Sequence, residues 1–205
     1  MPEHDLVQIF LTLQREFGAR VHAVTDDQWD GPTPNAAWSV ADLVAHLITE
    51  HLWVEPLLNG LELDAAADAV DRARSFVRED GVGASYIQAW DQTAEQAATA
   101  VSVPGALERT VSLSRGDTPA SGYLREMIFD ITVHAWDLGR AIGYPGALPA
   151  DVVQAVWQES RKFGDLSASG MFDHPVAVPP DAPALDRLIA MTGRDPRWSD
   201  SVYDR

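Results

Sequence analysis

Asp130-Ile131-Thr132-Val133-His134-Ala135-Trp136-Asp137 carries an acid and an imidazole four residues apart inside an apolar, helix-periodic stretch. Residues at this spacing share one helix face, with Cβ atoms about 5–6 Å apart, so Asp130 and His134 can chelate one ion without distorting the backbone. Met127, Ile131 and Leu138 fall close to the same face, which turns the pair toward a helical core. An unpartnered buried carboxylate costs on the order of several kcal/mol. Asp130 therefore needs a compensating charge, and a divalent metal is one candidate.

A second stretch, Trp38-Ser39-Val40-Ala41-Asp42-Leu43-Val44-Ala45-His46, supplies the other half of such a site. Ser39 stands where an N-cap belongs and Asp42 follows three residues later, a short form of the capping box. Val40, Leu43, Val44, Leu47, Leu52 and Val54 give the ensuing helix its apolar stripe, and Pro56 with Asn59-Gly60 marks its end. His46 lies within that stripe and is, by pattern, the most core-facing of the remaining histidines. Two imidazoles and a carboxylate suit zinc, nickel or iron, and three protein ligands leave positions open. The same spacing is met by a hydrogen-bonded core histidine beside a plain Asp130–His134 ion pair, and spacing alone does not separate the two.

Around these stretches the chain is helix-periodic. Leu6, Ile9, Phe10, Leu13, Phe17 and Val21 predict a first amphipathic helix. Residues 61–83 predict a short, mostly exposed helix and a connection ending at Gly81 and Gly83. A further main helix is expected from about Ala84 to Ala100, stopped by Pro104-Gly105, and Thr110–Leu113 alternates weakly enough to be extended. Thr118-Pro119 predicts the start of the helix carrying Asp130 and His134, with Gly143 at its C-terminal end. Asp151 to Phe163 reads as another helix, and Leu185, Leu188, Ile189 and Met191 as a short last one. The expectation is an all-α fold in a single domain over 1–205, a helical bundle over about 1–165 and an irregular C-terminal extension over about 166–205.

Composition excludes several function classes. Fifteen Lys and Arg against thirty-one Asp and Glu give a formal charge of -16, which repels phosphate backbones and anionic membranes. No apolar run approaches the roughly 20 residues that cross a bilayer. The N-terminus has no secretory signal character, so a cytoplasmic setting is expected. Zero cysteines removes disulfides, thiolate ligands and a cysteine nucleophile, so thiol chemistry needs an external thiol. Phosphate-binding Gly-rich loops, Gly-x-Ser-x-Gly elbows and His-Glu-x-x-His motifs are all missing.

Secondary candidates surround the three ligands. Asp137 is suited to a further ligand role or to an ion pair with Arg140 one turn on, and the pair is favoured. Glu50, one turn beyond His46, is a second-layer candidate or a solvated helix residue, the latter being favoured. Trp53 and Trp136 are candidates to wall a substrate pocket, and Arg140 to meet an anionic group. His4, His22 and His174 are expected at the surface, and no partner helix is evident for His51 and Glu55.

Three blocks, Pro32 through Leu47, Val133 through Ala141, and Pro175–Pro179 through Arg194–Trp198, resemble the DinB-like superfamily. The similarity is to its actinobacterial branch, related to the metal-binding N-terminal domain of mycothiol-dependent maleylpyruvate isomerase. That resemblance implies an up-down-down-up four-helix bundle whose metal is held by a histidine on the second main helix and a pair spaced by four on the last. His46, Asp130 and His134 fall on those positions. The isomerase has glutamate where this chain has Asp130, and many DinB-like proteins have histidine. The tail after Leu166 is shorter than the isomerase's second domain, so isomerase activity is not implied.

What the resemblance does imply is a low-molecular-weight thiol, mycothiol in actinobacteria, bound at a divalent metal, zinc foremost. The expected function is a metal-dependent thiol S-transferase acting on a small electrophile, by a monomer or homodimer. The alternatives are a non-catalytic metal- or small-molecule-binding protein and a metal-dependent hydrolase using activated water.

Overall fold

Helix α1 (Glu3–Val21) turns its Leu6, Phe10, Leu13, Phe17 and Val21 fully inward, as the spacing predicts. The computed structural model describes residues 3–78, 83–170 and 172–199. Helix α2 (Val40–Leu58) begins at a complete capping box, in which Asp42 N donates to Ser39 Oγ at 3.2 Å and Ser39 N to Asp42 Oδ2 at 3.0 Å. Helix α3 (Leu63–Arg78) is a crossover to α4 (Gly83–Val101). Strands β1 (Thr110–Leu113) and β2 (Gly116–Pro119) form a small antiparallel hairpin, and α5 (Ala120–Ala141), α6 (Ala150–Ser160) and α7 (Ala184–Ala190) follow. Gly81, where a connection is expected, lies outside the described residues, as does the side chain of His4.

Side-chain contacts give the helix directions. Gln14 Nε2 donates to Ala94 O at 3.0 Å and Phe17 packs on Trp90 at 4.6 Å, so α1 and α4 are antiparallel. Arg20, near the end of α1, donates to Gly146 O at 2.8 Å just past α5, so α1 and α5 run together. His46, early in α2, faces Asp130 and His134, whereas Leu58 O at the end of α2 accepts from Arg109 ahead of α5 at 2.8 Å. The order is thus up-down-down-up for α1, α2, α4 and α5. The long crossover through α3 is what lets α2 and α4 lie parallel.

Two local expectations are corrected. Pro119, not Thr118, precedes the first residue of α5, and the Thr118 hydroxyl donates to Gly116 O at 3.2 Å rather than capping free amides. Those residues belong to β2, whose pairing with the weakly alternating Thr110–Leu113 claims them first. At its other end α5 stops as expected, with Gly143 at φ +67°.

His51 is the most deeply buried imidazole, 1% exposed, with Phe10 stacked on one side and Trp90 edge-on. The core-facing histidine of α2 is therefore His51 rather than His46. Its Nδ1 shares a hydrogen bond of 2.8 Å with Leu47 O, and Nε2 has no partner among the described residues. Burial pushes its pKa down to about 4, against 6.5 in a solvated chain. The unfolded chain thus takes up a proton at His51 that the folded one refuses, and stability falls as pH drops from about 6.5 to about 4. The loss from this residue should approach about 3 kcal/mol at the low end. Urea denaturation across this window should show a weaker pH dependence in His51→Phe than in wild type; equal slopes would show that His51 titrates as if solvated. Phe17→Ala should cost about 3–5 kcal/mol, and Ser39→Ala about 1 kcal/mol.

Candidate metal centre

The crossing of α2 over α5 brings the three sequence-predicted ligands together. His46 Nε2 lies 3.4 Å from Asp130 Oδ2, and His134 Nε2 lies 3.3 Å from Asp130 Oδ1. One donor atom from each residue falls within 4.8 Å of the others. The edges of a tetrahedral zinc site with bonds of about 2.0–2.1 Å measure roughly 3.4 Å; each imidazole nitrogen lies at that distance from one carboxylate oxygen, while the set of three donors, one per residue, is wider. Asp130 Oδ2 is buried and accepts no well-formed hydrogen bond among the described residues, leaving a lone pair that a cation would satisfy. The shortness of Asp130 relative to glutamate does not prevent it from reaching both imidazoles. Residues and donor chemistry therefore fit a divalent ion.

Burial opposes charge on this cluster, and its own pairings overcome that cost. Asp130 would be pushed up by desolvation, yet the nearby imidazoles of His134 first and His46 second hold it well below the usual carboxylate range. His134 would be pushed down by burial, but Asp130 and then Asp137 raise it to about 9. Glu50 is half-buried rather than solvated, and burial followed by the Asp130 charge pushes its pKa up. Tyr123, not anticipated from sequence, adds a buried hydroxyl without a partner among the described residues; burial, Glu50, Glu126 and Asp130 all raise its pKa.

Asp137 is neither a ligand nor the partner of Arg140. It is completely buried, Oδ2 lies 3.0 Å from His134 Nδ1, and both its oxygens accept from Arg194 Nε at 2.8 and 3.0 Å. Arg140 instead donates to Pro196 O at 2.8 Å and lies over the Trp136 ring. No local spacing could reveal Arg194, which is 57 residues from Asp137; the signal was a buried acid without a helical partner.

The pocket walls also differ from expectation. Trp38 packs against His46 at 4.7 Å and His134 at 5.3 Å. It opens onto a cavity of about 470 Å³ lined also by Asp42, Thr49, Arg74 and Tyr86. Trp53 is absent from this lining, and Trp136 with Arg140 lines a separate cleft of about 250 Å³ beside Arg20 and Tyr144. The side chains of Trp136 and Arg140 point away from the ligands because the α5 face that carries Asp130 and His134 is not the one that carries them.

Fold and site together define a helical-bundle protein with a two-histidine, one-carboxylate candidate metal centre between its second and last main helices. Residues 10–139 match the model of the mycothiol maleylpyruvate isomerase N-terminal domain, and the chain belongs to that family. Two uncharacterized proteins of Mycobacterium tuberculosis, from strains H37Rv and CDC 1551 / Oshkosh, are each 27% identical over 192 residues, covering 90% of this chain and 94% of theirs. The crystal structure of the mycothiol-dependent maleylpyruvate isomerase superposes with a TM-score of 0.57 at 14% identity, over 78% of this chain and 69% of that one. A histidine-to-alanine mutant of that enzyme gives 0.58 over the same shares. These likenesses establish the DinB-like fold. Among the described residues no helix is long and apolar enough to cross a membrane.

With His134 held near pKa 9, a metal entering at pH 7 has to displace a proton from it. Calorimetric zinc titrations at pH 7 in buffers of different ionisation enthalpy should report release of about one proton, with affinity rising roughly tenfold per pH unit below 9. Binding without proton release would show that His134 is not a ligand.

Proposed function

We propose that the chain is a metal-dependent thiol S-transferase, with zinc held by His46, Asp130 and His134 and with mycothiol as the thiol donated to a small electrophile. The observation that carries this reading is the set of three converging donors beside a cavity of about 470 Å³, in a member of a mycothiol-linked family. A divalent ion there would supply acidification of a coordinated thiol, which is otherwise mostly protonated at neutral pH. Since the chain has no cysteine, the sulfur must come from a bound small molecule.

The protein's own groups then have separable tasks. Asp130 and the two imidazoles neutralise and orient the ion while leaving coordination positions free. Trp38, lying against both histidine rings, restricts their rotation. Glu50, its pKa raised by burial first and by Asp130 second, is the carboxylate suited to take up the thiol proton. Thr49, Tyr86 and Arg74 give the cavity the polar contacts that orient a polar thiol and an electrophile beside each other.

Cobalt-substituted protein titrated with mycothiol should show a sulfur-to-cobalt charge-transfer band, and conjugation of mycothiol to an alkylating fluorophore should be accelerated. His134→Ala should lose both effects. Metal binding with no spectral response to the thiol would refute the transferase reading in favour of hydrolysis or simple binding, and a fully active His134→Ala would refute the site.

A further inference from the structure

The C-terminal segment lies beyond the residues that match the family model, yet it reaches the metal centre. After α7, Thr192 is buried and its hydroxyl donates to Ile189 O at 2.7 Å. Gly193 then turns at φ +83°, in a place where a side chain would run into the backbone of Asp173 at 3.0 Å. Arg140 holds Pro196 O, and Trp198 is buried. The segment is thus pinned on both sides of Arg194, whose side chain is 10% exposed and meets an Asp137 that is 0% exposed.

Asp137 Oδ2 is shared: it lies 3.0 Å from Arg194 Nε and 3.0 Å from His134 Nδ1. A carboxylate facing a guanidinium offers acceptors only, so the proton of a neutral His134 belongs on Nδ1. That leaves the lone pair on Nε2, the atom turned toward Asp130. Without the guanidinium, Asp137 would keep His134 Nδ1 as its one side-chain partner among the described residues, and the two contacts that fix the orientation of its carboxylate against the imidazole would be gone.

We infer that Arg194 is a positioning residue of the metal centre, acting through Asp137 to fix the tautomer and orientation of His134, and that the C-terminal segment is therefore a working part of the site. The inference rests on the metal-binding reading above. Partners at this remove from a metal are worth roughly 10–100-fold in affinity.

The test is zinc affinity by chelator competition for wild type, R194M, R194K, D137N and the double variant R194M/D137N, with circular dichroism verifying folding before metal is added. R194M should bind zinc roughly 10–100-fold more weakly, with R194K between it and wild type. In the D137N background R194M should have little further effect, because its influence passes through that carboxylate. A folded R194M with wild-type affinity would overturn the inference, as would full additivity in the double variant. If R194M does not fold, R194K decides: unchanged affinity overturns the inference and a weakened one supports it. Failure of wild-type protein to bind zinc would instead overturn the underlying metal-site reading, a result separable from any difference among variants.

Discussion

Asp130 is the constraint on which the rest of the site depends. A carboxylate placed between two helices of a bundle has to be met by positive charge, and α2 and α5 deliver two imidazole nitrogens to it at 3.3 and 3.4 Å. The geometry requires the antiparallel crossing of α2 and α5, which the capping box at Ser39 starts in the right register. It also requires the long crossover through α3, because only with α4 parallel to α2 does α5 return beside α2.

Around that contact the charges alternate outward. Asp130 faces His134, His134 faces Asp137, and Asp137 faces Arg194, each link at 3.3 Å or less. Such a chain is favourable only when every member is satisfied, since His134, Asp137 and Arg194 are buried or nearly so and Asp130 is partly buried. On the other side, His46 and Trp38 both line the cavity that Arg74 and Tyr86 complete, so one face of the site is structural and the other is open to a small molecule. In a chain of formal charge -16, Arg74 gives that cavity a cation.

Much of this was legible in the sequence, for identifiable reasons. Asp130 and His134 share a face by helix geometry alone, and Ser39 with Asp42 announces the start of α2. What was not legible depends on contacts between distant segments. Arg194 and Asp137 are brought together only by the turn at Gly193, and Thr118 was claimed by a hairpin rather than by the helix it precedes. His51 and His46, five residues apart, lie on different faces of α2, and apolar neighbours surround both. Only the packing of Phe10 and Trp90 distinguishes the one that is core. Trp53 and Trp136 were attractive as pocket walls because tryptophan is large and flat, but Trp38, just ahead of the helix cap, is the one the fold lays against the histidines.

The most direct measurement is anomalous X-ray scattering across the zinc absorption edge, from crystals of untagged protein grown with stoichiometric zinc. A single peak bounded by His46 Nε2, the Asp130 carboxylate and His134 Nε2 is the predicted result. Absence of a peak there, with the three side chains bonded only to one another, would contradict the account and leave the cluster as a buried ion pair with a hydrogen-bonded core histidine.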